Sequence, residues 1–107
     1  MRIHSAEPGD RAQYNFEWDM EKARVNRAKH DVSFEEAATV FCDSQMLTIH
    51  DTEHSEDEER WITVGSSAAE RLLVVCHTFR EEPMESAVVR IYSARKATRR
   101  ERRQYEE

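Results

Sequence analysis

Glycine is nearly absent from this chain: Gly9 and Gly65 are the only two in 107 residues. A glycine-rich loop that cradles a nucleotide's phosphates is therefore excluded, and so is a calcium loop of the D-x-D-x-D-G kind. Cysteine is as scarce. Cys42 and Cys76 stand apart on apolar segments, with no C-x-x-C and no zinc spacing, and read as buried free thiols. No apolar run approaches the ~18 residues that span a membrane, and the opening "MRIHSAEPGD" has no apolar signal-peptide core. A cytoplasmic protein is the simplest expectation. No serine-nucleophile motif is present. Hydrophobic residues make up only 38% of the chain, which is low for a domain that must close its own core. A partner that covers apolar surface is one answer to that shortage.

Charge is abundant, at 36% of residues, and badly mixed. The formal net charge is −6, so a protein that coats nucleic acid by overall basicity is excluded. The acids collect in Asp51 to Glu59, "DTEHSEDEE", with six Asp/Glu and no Lys/Arg. The bases collect at Lys22 to Lys29 and at Arg95 to Arg103, where six Lys/Arg accompany one acid. A local basic site on an acidic protein is the first functional hint.

The length fits one domain. Met1 to Gln13 carries Pro8 and Gly9 and little periodicity, and reads as a flexible leader before a domain over residues 14–107. In "YNFEWD" the aromatics Tyr14, Phe16 and Trp18 alternate with polar residues, which predicts a half-buried strand. Asp19 is placed to cap a helix over "MEKARVNRAKH". "SFEE" reads as a capping box, Ser33 with Glu36, opening a second helix. Phe34, Ala37, Ala38 and Phe41 make its apolar stripe. Strands follow: "QMLTIH", "RWITVGSS", "RLLVVCHTFR" and "SAVVRIYSA". Leu72 to Cys76 is apolar on both faces, so that strand belongs at the centre of the sheet. "EEPME" is a turn, because Pro83 cannot donate to a ladder. The last segment, Ala97 to Glu106, has helical propensity but no apolar stripe. The expected fold is α+β: two N-terminal helices on a four- to five-stranded antiparallel sheet, with a basic C-terminal helix.

Two kinds of residue in this pattern carry chemistry. The first is basic. "RIYSARKATRR" places Arg90, Arg95 and Lys96 on a strand and Arg99, Arg100, Arg102 and Arg103 on the helix behind it. Arginine suits phosphate because its planar fork donates two parallel hydrogen bonds. Charge runs of this kind also occur as plain solvated faces. The second is histidine. His77 alternates with Leu73 and Val75, so it shares their face of the central strand. A lone strand histidine is more often a core residue than a catalyst, yet histidine is also the natural acid or base near neutral pH. His30 ends the first helix, where the dipole favours a cation. His50, Asp51 and His54 invite a metal reading, but an acidic loop binds divalent ions weakly whatever its purpose, and no functional metal and no cofactor is expected.

Taken together, F-E-W-D, K-H-D-V-S-F-E-E-A, H-S-E-D-E-E-R-W and S-A-R-K-A-T-R-R-E-R, in that order, resemble the BrnT family of ribonuclease toxins, whose fold is related to RelE. The resemblance covers about residues 14–107. It implies an endoribonuclease that blocks translation, cleaving RNA without metal through attack by the 2′-hydroxyl. It implies a cognate antitoxin of the BrnA kind as partner, which binds operator DNA and represses the operon. The family's motif positions fall on Lys29, His30, Glu59, Arg60, His77, Arg90, Arg95 and Lys96. On that reading Arg60, Arg90 and Arg95 hold phosphate and transition-state charge. His77 or His30 is the acid or base, with Glu59 as a further candidate base. Lys29 and Lys96 bind the backbone or assist the leaving group, and Arg99, Arg100, Arg102 and Arg103 grip RNA or dock the antitoxin. The leader and the turn at Glu81 to Glu85 look longer than the family's pattern. A second reading of the same residues is a non-catalytic basic module that binds the antitoxin and co-represses.

Overall fold

Eleven residues with almost no apolar face still form the first helix, because both of its ends are satisfied. In the computed structural model, which describes residues 13–84 and 86–107, the Asp19 side chain accepts from the Lys22 amide at 2.9 Å and caps helix α1, Met20–His30. Asp31 turns the chain out of α1 in the left-handed region, at φ 59°. Ahead of α1 lies strand β1, Gln13–Glu17. The expected leader falls outside the described residues, apart from Gln13.

Helix α2, Phe34–Thr39, is capped by Ser33, which accepts from the Glu36 amide at 3.0 Å. The capping box expected here is only half made. The Glu36 carboxylate turns away to the Arg71 guanidinium and to the Ser67 hydroxyl, 2.7 Å. A charged partner outcompetes a backbone amide for a carboxylate. The helix tightens into a 3₁₀ turn, Val40–Cys42. Cys42 is exposed there and Cys76 only half-buried, so the thiols are free but not buried as expected.

Four strands then form an antiparallel meander: β2, Leu47–His50; β3, Trp61–Ser66; β4, Leu72–Glu82; and β5, Ser86–Lys96. β4 runs to Glu82, so the turn into β5 is tighter than Glu81 to Glu85. Glu85 lies outside the described residues. The sheet order is β1-β5-β4-β3-β2, with β4 central as its apolar run requires. β1 joins β5 in parallel, so the sheet is mixed rather than wholly antiparallel. Close spacing dictates a hairpin partner for consecutive strands, but two helices separate β1 from β2 and leave its direction free. Helix α3, Arg99–Glu106, closes the chain with a complete capping box of Thr98 and Glu101.

One face of the sheet makes the core. Leu73, Val75, Val89, Ile91 and Ala94 pack on Val32, Phe34, Ala37, Val40 and Phe41. Each large side chain buried there contributes roughly 1.5–3 kcal/mol. Tyr14 and Phe16 seal one end, each with its ring 5.4 Å from that of Phe41. Gly65 sits where β3 passes under the 3₁₀ turn; a Cβ there would lie 2.7 Å from a Val40 methyl.

β1 pairs with β5 only as far as Arg90. Beyond it, the β5 edge is completed by a side chain. Asn26 is buried, and its amide donates to the Ala94 carbonyl at 2.9 Å and accepts from the Ala94 N–H at 3.1 Å. Its second N–H meets the Val32 carbonyl at 3.0 Å. One amide thus ties α1 to the sheet and to the link into α2. A buried backbone group left without its partner costs about 1–3 kcal/mol. Asn26→Leu, which leaves three such groups orphaned, is expected to lower stability by ~3 kcal/mol or more in urea unfolding. An unchanged midpoint would contradict this role.

Candidate nucleic-acid interface

β5 carries one residue more than β4 can match. His77 lies opposite Ile91 and Cys76 opposite Ser93, so Tyr92 has no partner in the ladder. This bulge sets Tyr92 on the face away from α2. Arg90, opposite Thr78, is on the same face. Just ahead of β3 stands Arg60, whose guanidinium carbon is 4.1 Å from the centre of the Tyr92 ring, a cation–π contact. The Arg60 Nε is buried without a hydrogen-bond partner among the described residues. The Tyr92 hydroxyl donates to the Glu58 carboxylate. Burial, then Glu58, pushes the phenol above its ordinary pKa, against the pull of Arg60 and Arg90. Among the described residues, Arg90 has only a loose partner, Glu17, at 4.0 Å.

α1 forms the opposite wall. Lys22, Val25, Asn26, Lys29 and His30 line a groove of about 310 Å³ that is closed by Tyr92 and Ser93. The structure therefore brings Arg60, Arg90, Lys29 and His30 around one aromatic ring. Tyr92 and Glu58 join them without having been singled out. The available signal for Tyr92 was its place among bases in "RIYSARK", since an aromatic interleaved with basic residues suits stacking on a single strand.

Other expected site residues lie elsewhere. His77 is wholly buried. Its Nε2 is 2.7 Å from the Thr63 hydroxyl, its Nδ1 is 3.0 Å from the Thr78 carbonyl, and its ring meets Phe41 edge-on at 5.0 Å. The carbonyl can only accept, so Nδ1 carries the hydrogen and Nε2 accepts from Thr63. Burial lowers its pKa to about 4. His77 is a neutral core residue out of reach of a substrate, so alternation with Leu73 and Val75 marked a place in the core rather than a site. Glu59 is exposed, and its neighbour Glu58 is the carboxylate that reaches Tyr92. Arg95 is committed to Glu101 through two bonds, 2.9 and 2.8 Å. Arg95, then lesser contacts, holds Glu101 down to about 2. Lys96, Arg99, Arg100, Arg102 and Arg103 are exposed on the end of β5 and on α3. They form a second basic surface, held in place at Arg95 and where the Tyr105 hydroxyl donates to Asp43, 2.6 Å.

The acidic loop folds on itself. Asp51 caps a 3₁₀ turn, Thr52–His54, and pairs with the His54 ring at 3.0 Å. Among the described residues, no group of three or more His, Cys, Asp or Glu is arranged to hold a metal ion.

Comparison with known proteins adds a family. The model of the "Ribonuclease toxin, BrnT, of type II toxin-antitoxin system" matches residues 18–101. Among solved structures, the ribonuclease toxin BrnT of Brucella abortus is similar in fold, with a TM-score of 0.55 at 19% identity. The match covers 82% of this chain and all of that one. No curated protein matches.

His77 makes stability depend on pH. Its folded pKa lies below the ordinary 6.5, so the unfolded chain binds more protons in between. The contribution is fully present above pH 6.5, is lost as pH falls from 6.5 to about 4, and amounts to ~3 kcal/mol at most. Thermal melts across that window are expected to fall in the wild type and to flatten in His77→Gln, while RNA-directed activity at neutral pH survives the substitution.

Proposed function

The chain belongs to the BrnT family of ribonuclease toxins of type II toxin–antitoxin systems, and on that premise we propose that it is a metal-independent endoribonuclease acting at the Tyr92 cluster. The observation that carries this reading is the convergence of Arg60, Arg90, Lys29 and His30 on one half-buried aromatic, Tyr92.

RNA supplies its own nucleophile. A base takes the proton of a 2′-hydroxyl, the oxygen attacks the adjacent phosphorus, and the bond to the 5′ oxygen breaks. That oxygen takes a proton as it leaves, so the products are a cyclic phosphate and a 5′-hydroxyl. The protein has to position the strand, move the two protons and hold the charge of the phosphorane. Arg60 and Arg90 supply charge where the phosphorane forms. His30 is the histidine in the groove and the candidate acid or base. Lys29 faces the phosphate backbone or the leaving oxygen. Tyr92 orients the substrate and Glu58 holds the phenol. Arg95 works indirectly, by fixing α3. The arginines of α3 and Lys96 grip more distant RNA or receive the antitoxin.

Cleavage of messages would block translation in a bacterial cytoplasm, with a cognate BrnA-like antitoxin as the neutralising partner and the source of operator binding. A second reading is a binding module that serves only to hold the antitoxin and co-repress. The burial of His77 favours it, because one of two histidines expected to move protons is out of reach.

Expression of the chain alone decides between them. Growth arrest with cut transcripts is expected, and the purified chain should cut RNA in the presence of EDTA. Arg60→Ala and Arg90→Ala should each slow cleavage ~100-fold with unchanged circular dichroism. Wild-type rates in both variants would remove the site, and intact messages with normal growth would select the module.

A further inference from the structure

The cations of α1 divide into two sets. Arg24 is tied to Glu21 and Arg27 to Asp31. The side chains of Lys22 and Lys29 form no ion pair or hydrogen bond among the described residues, and both line the groove against β5. The acid in that lining, Glu21, is held by Arg24. The groove therefore keeps an uncompensated positive rim on a chain whose net charge is −6. Its interior is different. Val25 lines it while 49% exposed, with the half-buried ring of Tyr92 across from it. Tyr92 lines the groove, while Arg60, which packs on its ring, does not.

An apolar slot with an aromatic wall and a cationic rim matches a planar, weakly polar group that carries an anion. A nucleotide is such a group. At about 310 Å³ the groove lies at the small end of ligand pockets, a size that suits a single nucleotide. From it, a phosphate chain that passes Tyr92 arrives at Arg60 and Arg90. An acidic peptide would use the rim but would leave the slot between Val25 and Tyr92 unfilled.

We propose that the groove between α1 and β5 binds one unpaired nucleotide, with its base between Val25 and the Tyr92 ring and its phosphates on Lys22 and Lys29. The proposal rests on the ribonuclease reading and narrows its substrate to single-stranded RNA next to the cut.

The test uses the whole chain and a short single-stranded oligonucleotide with 2′-deoxy sugars, which binds but cannot be cut. Val25→Glu places a carboxylate in the slot at an exposed position, and Val25→Leu keeps the slot apolar. Stacking of one base on an aromatic changes affinity by about five- to a hundredfold. Val25→Glu is expected to weaken oligonucleotide binding about tenfold and to raise the KM for RNA cleavage as much, with kcat near wild type. Val25→Leu should bind as the wild type does, and duplex RNA should compete poorly. Equal affinity in Val25→Glu and wild type overturns the proposal. So does a loss confined to antitoxin binding, which assigns the groove to a protein segment. A wild-type chain that binds the oligonucleotide through Val25 but cuts no RNA sinks the ribonuclease reading and leaves the groove. A chain that cuts RNA with a KM indifferent to Val25→Glu does the reverse.

Discussion

The amide of Asn26 is the joint on which the arrangement depends. A strand edge that runs past its neighbour exposes N–H and C=O groups that must find partners. Here β1 ends at Glu17, opposite Arg90, and a helix side chain with one donor and one acceptor at the right spacing takes over at Ala94. α1 has almost no apolar face with which to pack, and Asn26 is its one buried residue. Polar pairing therefore does for α1 what burial of hydrocarbon does for α2. Because the bond is directional, it also fixes how α1 is turned. The same rotation that buries Asn26 presents Lys29 and His30 toward Tyr92.

Charge on this molecule is sorted by whether it is already spent. Arg71, Arg95 and Arg24 each meet a carboxylate at close range. They hold α2 to the turn before β4, α3 to β5, and one turn of α1 to the next. The exposed Arg24–Glu21 pair adds little to stability, but all three pairs remove their arginines from the stock that can attract phosphate. Among the described residues, the cations that remain unpaired are concentrated at the groove and along α3. The acidic loop sets the global sign while touching the basic cluster mainly at Glu58. An acidic protein can thus keep a basic site, because over distances beyond ~8–10 Å salt screens the one from the other.

The sequence disclosed elements better than joints. Asp19, Ser33 and the stripe from Phe34 to Phe41 are local signals, and the helices lie where those signals put them. The apolar run in β4 marked the centre of the sheet. The basic run at the end of β5 and on α3 forms a second basic surface apart from the Tyr92 cluster. Hidden were the features set by distant partners. Asn26 and Ala94 are separated by 68 positions, and Glu36 and Arg71 by 35. No local window reveals either pair. The parallel pairing of β1 was hidden for the same reason. Alternation did place His77 on the face of Leu73 and Val75. Its burial follows from that placement.

The bulge at Tyr92 has a consequence for how this strand can change. Ile91 faces the core and so does Ala94, with two residues between them where a regular strand has one. Tyr92 is the surplus. Were the chain shortened by that residue alone, Ile91, Ser93 and Ala94 would fall into ordinary alternation, and the apolar residues would keep the faces they have now. The architecture of the sheet does not need the residue around which the basic groups gather. At this position, loss of length and loss of fold are separable, and a deletion tolerated by the one would be felt only by the chemistry.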